Sequence, residues 1–342
     1  VLGSDKAFVD SSSATATVLG IYSGLASGAS SVVFSVIKYG AMSADEGYYL
    51  SNTSFDAFRD NTLAAGNAAN GFWGALYTRI NRANNAIEGI AASLTLSEAV
   101  KNQLLGEAKF LRAWMYFNLV QYFGDVPLVL STDAKSSAQL PRAPIAQVNQ
   151  QIVQDLLEAK NLLTTKYPSA ERARINKNVV SAFLARVYFY QQNWPAAEAE
   201  ATEVINSASY SLVTDLTKVF LNNSNETIWQ ISLAGETTPA TIMGAQFIPA
   251  STTPVFTLYD TLANTFEPND QRKVNWTNTI DFSGKTYYYP YKYKVRSTTT
   301  GNEYPAMLRL AEMYLVRSEA RANQNNLSGA IEDINMVRER AG

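Results

Sequence analysis

From Ser11 to about Asn206 the apolar positions recur with a helical period, among abundant Ala, Leu, Glu and Gln. "TVLGIYSGLAS" predicts a short first helix and "NGFWGALYTRINRANNAIEGIAASL" a longer second one. "TLSEAVKNQLLGEAK" opens with Thr95 and has Glu98 three residues on, a capping box that predicts a helix start. Gly124 suits the C-cap and Pro127 forbids continuation, so a helix of about 25 residues is expected between them. That helix contains "LLGEAKFLRAWMYFNLVQYFGDVPLV", apolar or aromatic almost all the way round. Another helix is predicted over "IAQVNQQIVQDLLEAKNLL". A pair follows, "NKNVVSAFLARVYFYQQ" and "AAEAEATEVINS", broken at Asn193-Trp194-Pro195. Pro195 fits a first helical turn, where its missing N–H costs nothing.

From about Tyr210 to Tyr304 the pattern changes. Thr, Asn, Tyr, Pro and Gly dominate, with short strand-like pieces such as "ETIWQISL" and "TYYYPYKYKV". "PAMLRLAEMYLVRSEARANQNNLSGAIEDINMVRERAG" then returns to a helix pair. That pair echoes the earlier one: Ala197 and Ala330 are equivalent, 330 − 197 = 133 positions apart. Gln192-Asn193-Trp194 corresponds to Gln324-Asn325-Asn326-Leu327 with a shift of one residue. Small Ala in the second helix allows close packing and the large residue plugs the turn. This is tetratricopeptide-like logic, in which an antiparallel pair cannot bury both faces alone. A helix inside such a stack faces several neighbours, which accounts for the greasy stretch. The expected fold is mainly α, an α+α superhelix with α+β character, built of tetratricopeptide-like pairs with an irregular, loop-rich segment.

Composition narrows the chemistry. The 342 residues are 46% hydrophobic and 17% charged, with a net charge of −2, which argues against a nucleic-acid partner. Cys and His are both absent. Thiol nucleophiles, disulfides, Cys/His zinc sites, His bases and Ser-His-Asp triads are therefore excluded. Carboxylate chemistry and oxygen-ligated Ca²⁺ or Mg²⁺ pass this filter. No stretch approaches the roughly 18 to 20 apolar residues of a membrane span. "VLGSDKAFVD" has neither the basic start nor the apolar core of a signal peptide.

"GEAKFLRAWMYFNLVQYFGDVPLV", from Gly106 to Pro127 and just beyond, resembles the signature helix of the SusD/RagB family of outer-membrane nutrient-binding lipoproteins. "LRLAEMYLVRSEARA" and "INMVRERAG" are similar to the family's later helix pair. "FWGALYTRINRANNAIEGI" matches its early pattern at Trp73, Tyr77, Ile80 and Asn84, and "FEPNDQRKVNW" matches its Asp-x-Arg segment at Asp270 and Arg272. The resemblance implies a single domain over residues 1–342, with a helical scaffold at about 11–209 and 305–342 and a loop-rich ligand-binding segment at about 210–304. It implies a non-enzymatic protein, lipid-anchored on the extracellular face of the outer membrane. Such a protein captures an oligosaccharide or polysaccharide, in some members a peptide, and passes it to a SusC-like TonB-dependent transporter. The family's lipidated N-terminal Cys has no counterpart here, so the chain is expected to begin inside the mature protein. The family also continues past "RERAG" with a segment rich in Glu and Arg, and exposed surface is expected near the last helix pair. No cofactor and no metal is expected; "EPNDQR" lacks the oxygen-ligand spacing of an EF-hand.

Trp114, Phe117, Tyr122 and Phe123 read as core, because helical aromatics are packed. Trp73 and Trp194 read as helix-packing residues. Arg112 lies in the same apolar surroundings and requires partners, with Glu107 and Asp125 as candidates. Sugar sites set flat rings against pyranose faces and use amides and carboxylates for hydroxyls, so loop aromatics outside the helical period are the candidates. They are Trp276, Tyr287 and Tyr289, with Tyr288, Tyr291 and Tyr293 nearby; successive members of a strand point to opposite faces, so at most half of the run can share one site. Tyr48 and Tyr49 follow "SADEG", where the resemblance places an early Asp near the ligand, here Asp45. For each, a sheet-face aromatic is the competing reading. Two other functions compete with glycan capture. One is a tetratricopeptide-like scaffold for a protein segment; the other is a carboxylate-based glycan hydrolase, which the lack of His permits.

Overall fold

The computed structural model describes residues 7–26, 31–64, 66, 69–232, 242–297 and 302–342. In chain order the elements are α1 (Ser11–Ala26), α2 (Val32–Ser43), β1 (Gly47–Tyr49), α3 (Asp56–Arg59), α4 (Ala69–Ala92) and α5 (Glu98–Phe123). Then come β2 (Val126–Pro127), α6 (Ala134–Ser137), β3 (Arg142–Ala143), α7 (Ile145–Leu162), α8 (Lys177–Tyr190) and α9 (Trp194–Asn206). The middle holds β4 (Thr227–Gln230), α10 (Ile242–Phe247), β5 (Phe256–Leu258), α11 (Asp260–Ala263), α12 (Gln271–Trp276), β6 (Thr277–Phe282), β7 (Lys285–Pro290) and β8 (Ala306–Arg309). α13 (Leu310–Asn323) and α14 (Leu327–Ala341) complete the series. The fold is mainly α, as expected. The predicted first helix and first strand-like piece end at Ser27 and Leu233, which lie outside the described residues. α2 has no predicted counterpart: Val32, Val33, Phe34 and Ser35 are all buried, so its apolar positions do not trace one stripe.

The chain forms two compact units, Val1–Leu25 with Trp73–Ser207 and Ala26–Phe72 with Ala208–Gly342. This division differs from the expected scaffold at 11–209 and 305–342, because the last helix pair falls in the same unit as the loop-rich segment.

In the first unit, α5 packs on α7, α7 on α8, and α8 on α9. Leu104, Phe110, Leu111, Trp114, Met115, Tyr116 and Leu119 are buried on α5. α5 starts at Glu98 with Ser97 as a cap that makes no side-chain bond. The capping box read at Thr95 and Glu98 is therefore not formed; the Thr95 hydroxyl donates instead to the Val9 carbonyl at 2.7 Å. Gly124 does end the helix, at a φ of 68°. The loop after it is tied down by α4 and α5: Tyr77 donates to the Pro127 carbonyl at 2.7 Å, Tyr116 exchanges bonds with Val129, and the Asn84 amide donates to the Val129 carbonyl.

Arg112 is buried, and its partners differ from those expected. Its guanidinium meets the Asp155 carboxylate in two bonds of 2.7 and 2.8 Å and donates a third to Asn84. Glu107 instead accepts from Tyr22, Gln103 and Arg174, while Asp125 accepts from the Ile145 amide at the start of α7. Burial and the neighbouring Glu107 carboxylate push the Tyr22 phenol well up. Sequence distance explains the difference: Asp155 is 43 residues from Arg112, a separation that no local pattern announces.

The second unit holds antiparallel strand pairs β1–β5, β4–β8 and β6–β7, and the α13–α14 pair. A buried Arg317–Asp333 pair, with two bonds of 2.6 and 2.8 Å, joins α13 to α14. The repeat read from the sequence is closer than it looked. Asn193 and Asn326, 326 − 193 = 133 apart, both cap their helices through side-chain acceptance, with φ of −83° and −88°. Gln192 and Asn325 before them are both left-handed, at φ of 57° and 64°. At that offset Trp194 matches Leu327, so the one-residue shift disappears. Ala197 and Ala330 are both buried in the second helices.

Candidate functional site

β1 follows a sharp turn in which Asp45 is left-handed, with φ of 53°, and exposed. The strand pairs with β5 in the register Gly47↔Leu258, Tyr48↔Thr257 and Tyr49↔Phe256. A Cβ on Gly47 would stand 2.5 Å from the Phe256 ring and 2.6 Å from the Thr257 carbonyl oxygen, so only glycine allows this approach. The two tyrosines that follow point to opposite faces. Tyr49 is buried against Phe55 and Phe256, at ring separations of 4.8 and 5.3 Å, and burial pushes its phenol up. Tyr48 is half-buried and meets Tyr259, ring to ring, at 4.8 Å.

β7 packs beside β5 and pairs with β6 across a two-residue turn, Ser283 and Gly284, both at positive φ. That is the turn whose twist suits a hairpin. Tyr287 is half-buried, with the Lys285 ammonium 5.0 Å from its ring centre. Lys285 pairs with Asp260 at 2.8 Å; that bond, and the nearby Tyr48 and Tyr287 hydroxyls, hold its ammonium above the usual lysine range. Burial raises the Tyr259 phenol, and the Asp45 carboxylate adds to the rise. Asp45, Tyr48, Tyr259, Asp260, Lys285 and Tyr287 thus gather on one face of the second unit.

The other candidates are enclosed by the fold. Trp276, 9% exposed, packs with Leu216, Val219 and Phe220, and its indole N–H donates to the Leu216 carbonyl at 2.9 Å. Phe220 meets it edge-on at 5.3 Å, and the Arg309 and Lys292 cations lie 5.9 and 5.6 Å from the indole ring. No open indole face is offered there. It read as a loop platform because "RKVNWTNT" surrounds it with polar residues. α12 nevertheless ends on it and turns it inward. Tyr289 is also buried, beside Tyr291 at 6.0 Å, with Asn278 opposite it across the hairpin. Trp114 is buried in α5, Trp73 packs against Tyr77 and Phe123, and Trp194 against Phe189. Sequence reasoning missed Tyr259, Asp260 and Lys285. Their one available signal was Tyr-Asp directly after the strand-like "VFTL". Among the described residues no acidic cluster is arranged to hold a metal ion, and no helix is long and apolar enough to cross a membrane.

Comparison with known proteins adds two family matches. The family described as "Starch-binding associating with outer membrane" matches residues 5–189, and the SusD family matches residues 260–342. The chain is 23% identical over 325 residues to SusD-like protein P25 of Formosa agariphila, covering 79% of this chain and 61% of that one. It is 34% identical over 138 residues to SusD-like protein P2 of the same organism, covering 40% of this chain and 27% of the relative. The chain therefore spans 61% or less of the length of these two relatives. Among solved structures, a SusD superfamily protein from Bacteroides thetaiotaomicron superposes with a TM-score of 0.84 at 22% identity, over 97% of this chain and 81% of that one. A SusD-like carbohydrate binding protein from Bacteroides vulgatus gives 0.82 at 20%, over 98% and 76%. At such identities the likeness establishes the fold.

Proposed function

We propose, from the premise that the chain belongs to the SusD family, that it captures oligosaccharides and hands them to a TonB-dependent transporter. The protein acts outside the outer membrane, held there by a lipid anchor, and it binds without catalysis. The observation that carries the reading is the tyrosine face of Tyr48, Tyr259 and Tyr287, ringed by Asp45, Asp260 and Lys285. Half-buried rings supply apolar platforms for pyranose faces, and the flanking carboxylates and ammonium take hydroxyl hydrogen bonds. Strands and a tight hairpin hold the rings, so little ordering entropy is lost on binding.

A second reading, a scaffold for a protein segment, is favoured by one feature of the first unit. A groove of about 520 Å³ between α7 and α8 is lined by Val153, Leu157 and Tyr188 together with Asn149, Gln154 and Gln191, and the Gln191 amide nitrogen is buried with no hydrogen-bond partner among the described residues. One experiment separates the two. The protein is screened by affinity gel and calorimetry against polysaccharides, their oligomers and a peptide mixture. Saturable retention by a polysaccharide, weakened by Tyr48→Ala, is expected. Peptide binding alone, untouched by Tyr48→Ala and abolished by Gln191→Leu, transfers the function to the helical groove.

A further inference from the structure

The charges around the tyrosine face are unequal, and the inequality bears on which glycans fit. This step rests on the reading that the face binds glycan. Arg59 is held by two carboxylates, Asp60 at 2.9 Å and Asp56 at 3.2 Å. Lys285 is held by Asp260. Asp45 makes no ion pair among the described residues; the carbonyl of Glu46, next to it in the turn, accepts from the Tyr259 amide at 3.1 Å, which brings Asp45 beside the Tyr48–Tyr259 pair, where its charge adds to those of Arg59 and Asp60. Two cations thus face four carboxylates, and each cation is already engaged. Among the described residues, a uronate or sulfate laid on these rings finds no spare ammonium or guanidinium at this face to receive it, and it meets the Asp45 carboxylate instead.

We infer that the face selects uncharged oligosaccharides and rejects acidic ones, with Asp45 as the residue that sets the discrimination. A carboxylate stacked on the Tyr48–Tyr259 pair would lie several ångströms from Asp45 at a water-exposed surface. Like charges at such a separation repel by an amount worth about threefold to tenfold in affinity at low ionic strength. Screening in ~1 M salt, where the Debye length is about 3 Å, should bring the ratio close to unity. An uncharged sugar loses nothing by this arrangement, because carboxylates accept its hydroxyl protons well.

The test uses matched pairs of neutral hexose polymers (a glucan, a mannan and a galactan) and the same polymers oxidised at C6 to the carboxylate. Retention of each is measured by affinity gel, and dissociation constants of their oligomers by calorimetry, at low and high salt. The neutral member of at least one pair is expected to bind at least threefold tighter. The gap should close in 1 M NaCl and shrink in Asp45→Asn, which keeps a side chain tolerant of the left-handed backbone. Equal or tighter binding of the oxidised member overturns the selectivity while leaving the glycan reading intact. An unaltered ratio in both Asp45→Asn and high salt overturns the role of Asp45. Failure of every neutral and oxidised polymer to bind removes the glycan reading itself, and this inference with it.

Discussion

The interior of the first unit and the tyrosine face of the second use the same residue types to opposite ends. Around α5 the rings of Phe110, Trp114 and Tyr116 are enclosed, and the buried charges Glu107, Arg112 and Asp155 are met by geometrically specific partners. On the second unit Tyr48, Tyr259 and Tyr287 keep part of each ring towards water, and their charged neighbours are exposed pairs at a strand edge and a hairpin tip. Aromatic richness therefore does not identify a binding surface. What distinguishes the two regions is whether the polar tips and ring faces are already consumed by the fold.

Removing one member of a consumed set should cost the most. Arg112→Ala leaves Asp155 buried with its bidentate partner gone, and should destabilise by about 3–5 kcal/mol in chemical denaturation. The corresponding change on the tyrosine side, Arg59→Ala at an exposed pair, should leave the denaturation midpoint nearly unmoved. Equal costs at the two positions would abolish the distinction between the regions.

Trp276 sharpens the comparison, since it lies in the second unit yet behaves like the interior of the first. Truncation to Ala removes an indole packed on Phe220 and Leu216 and leaves the Leu216 carbonyl short of a donor. A loss of about 3 kcal/mol or more is expected in the denaturation midpoint. An open sugar platform at this position would show almost no stability change and a large loss of polysaccharide retention.

The legible part of the molecule was the part fixed by local spacing. The extent of α5, the Gly124 stop, the break before Pro195 and the two helix pairs all follow from residues within a turn or two of one another. The capping box at Thr95 failed because the preceding segment offered Thr95 a different acceptor, Val9, 86 residues away. The partner of Arg112 and the company of Tyr48 were equally out of reach. Asp155 and Tyr259 arrive through helix stacking and through pairing of β1 with a strand some 200 residues on, for which spacing holds no information. Tyr48 and Tyr49 read alike in the sequence. Strand alternation gives one to solvent and one to the interior, and which is which depends on Phe55 and Phe256.

That pair gives a smaller and more selective prediction. Tyr48→Ala should leave stability within about 1 kcal/mol, as a half-buried surface residue does. It should weaken binding of a retained polysaccharide by about tenfold, equivalent to 1.4 kcal/mol. Tyr49→Ala should do the reverse, lowering the melting temperature by several degrees with the dissociation constant of the folded protein little changed. Identical effects of the two neighbours would show that the strand does not separate binding from packing.

The smallest effect is expected at Lys38, whose buried charge, unlike those of Glu107, Arg112 and Asp155, has no charged partner among the described residues. Its ammonium is buried among Phe34, Tyr39 and Phe55, 5.3, 4.6 and 4.7 Å from the ring centres, with no ion pair among the described residues. Burial lowers its pKa below the ordinary value of 10.5, and the ring faces return part of that loss. The folded protein thus holds this proton less tightly than the unfolded chain. Between the lowered folded value and 10.5 the unfolded state binds more protons, so stability rises with pH across that window and the full cost persists below it. Lys38→Met keeps the unbranched shape without the charge. It should raise stability at pH 7 by about 1 kcal/mol or less, since the lost ring contacts offset most of the relieved desolvation. The decisive observation is the melting-temperature gap between wild type and variant, which should narrow as the pH is raised from 7 to 10. A gap that stays constant would mean that the aromatic cage compensates the ammonium in full, and that Lys38 is as well partnered by rings as Arg112 is by Asp155.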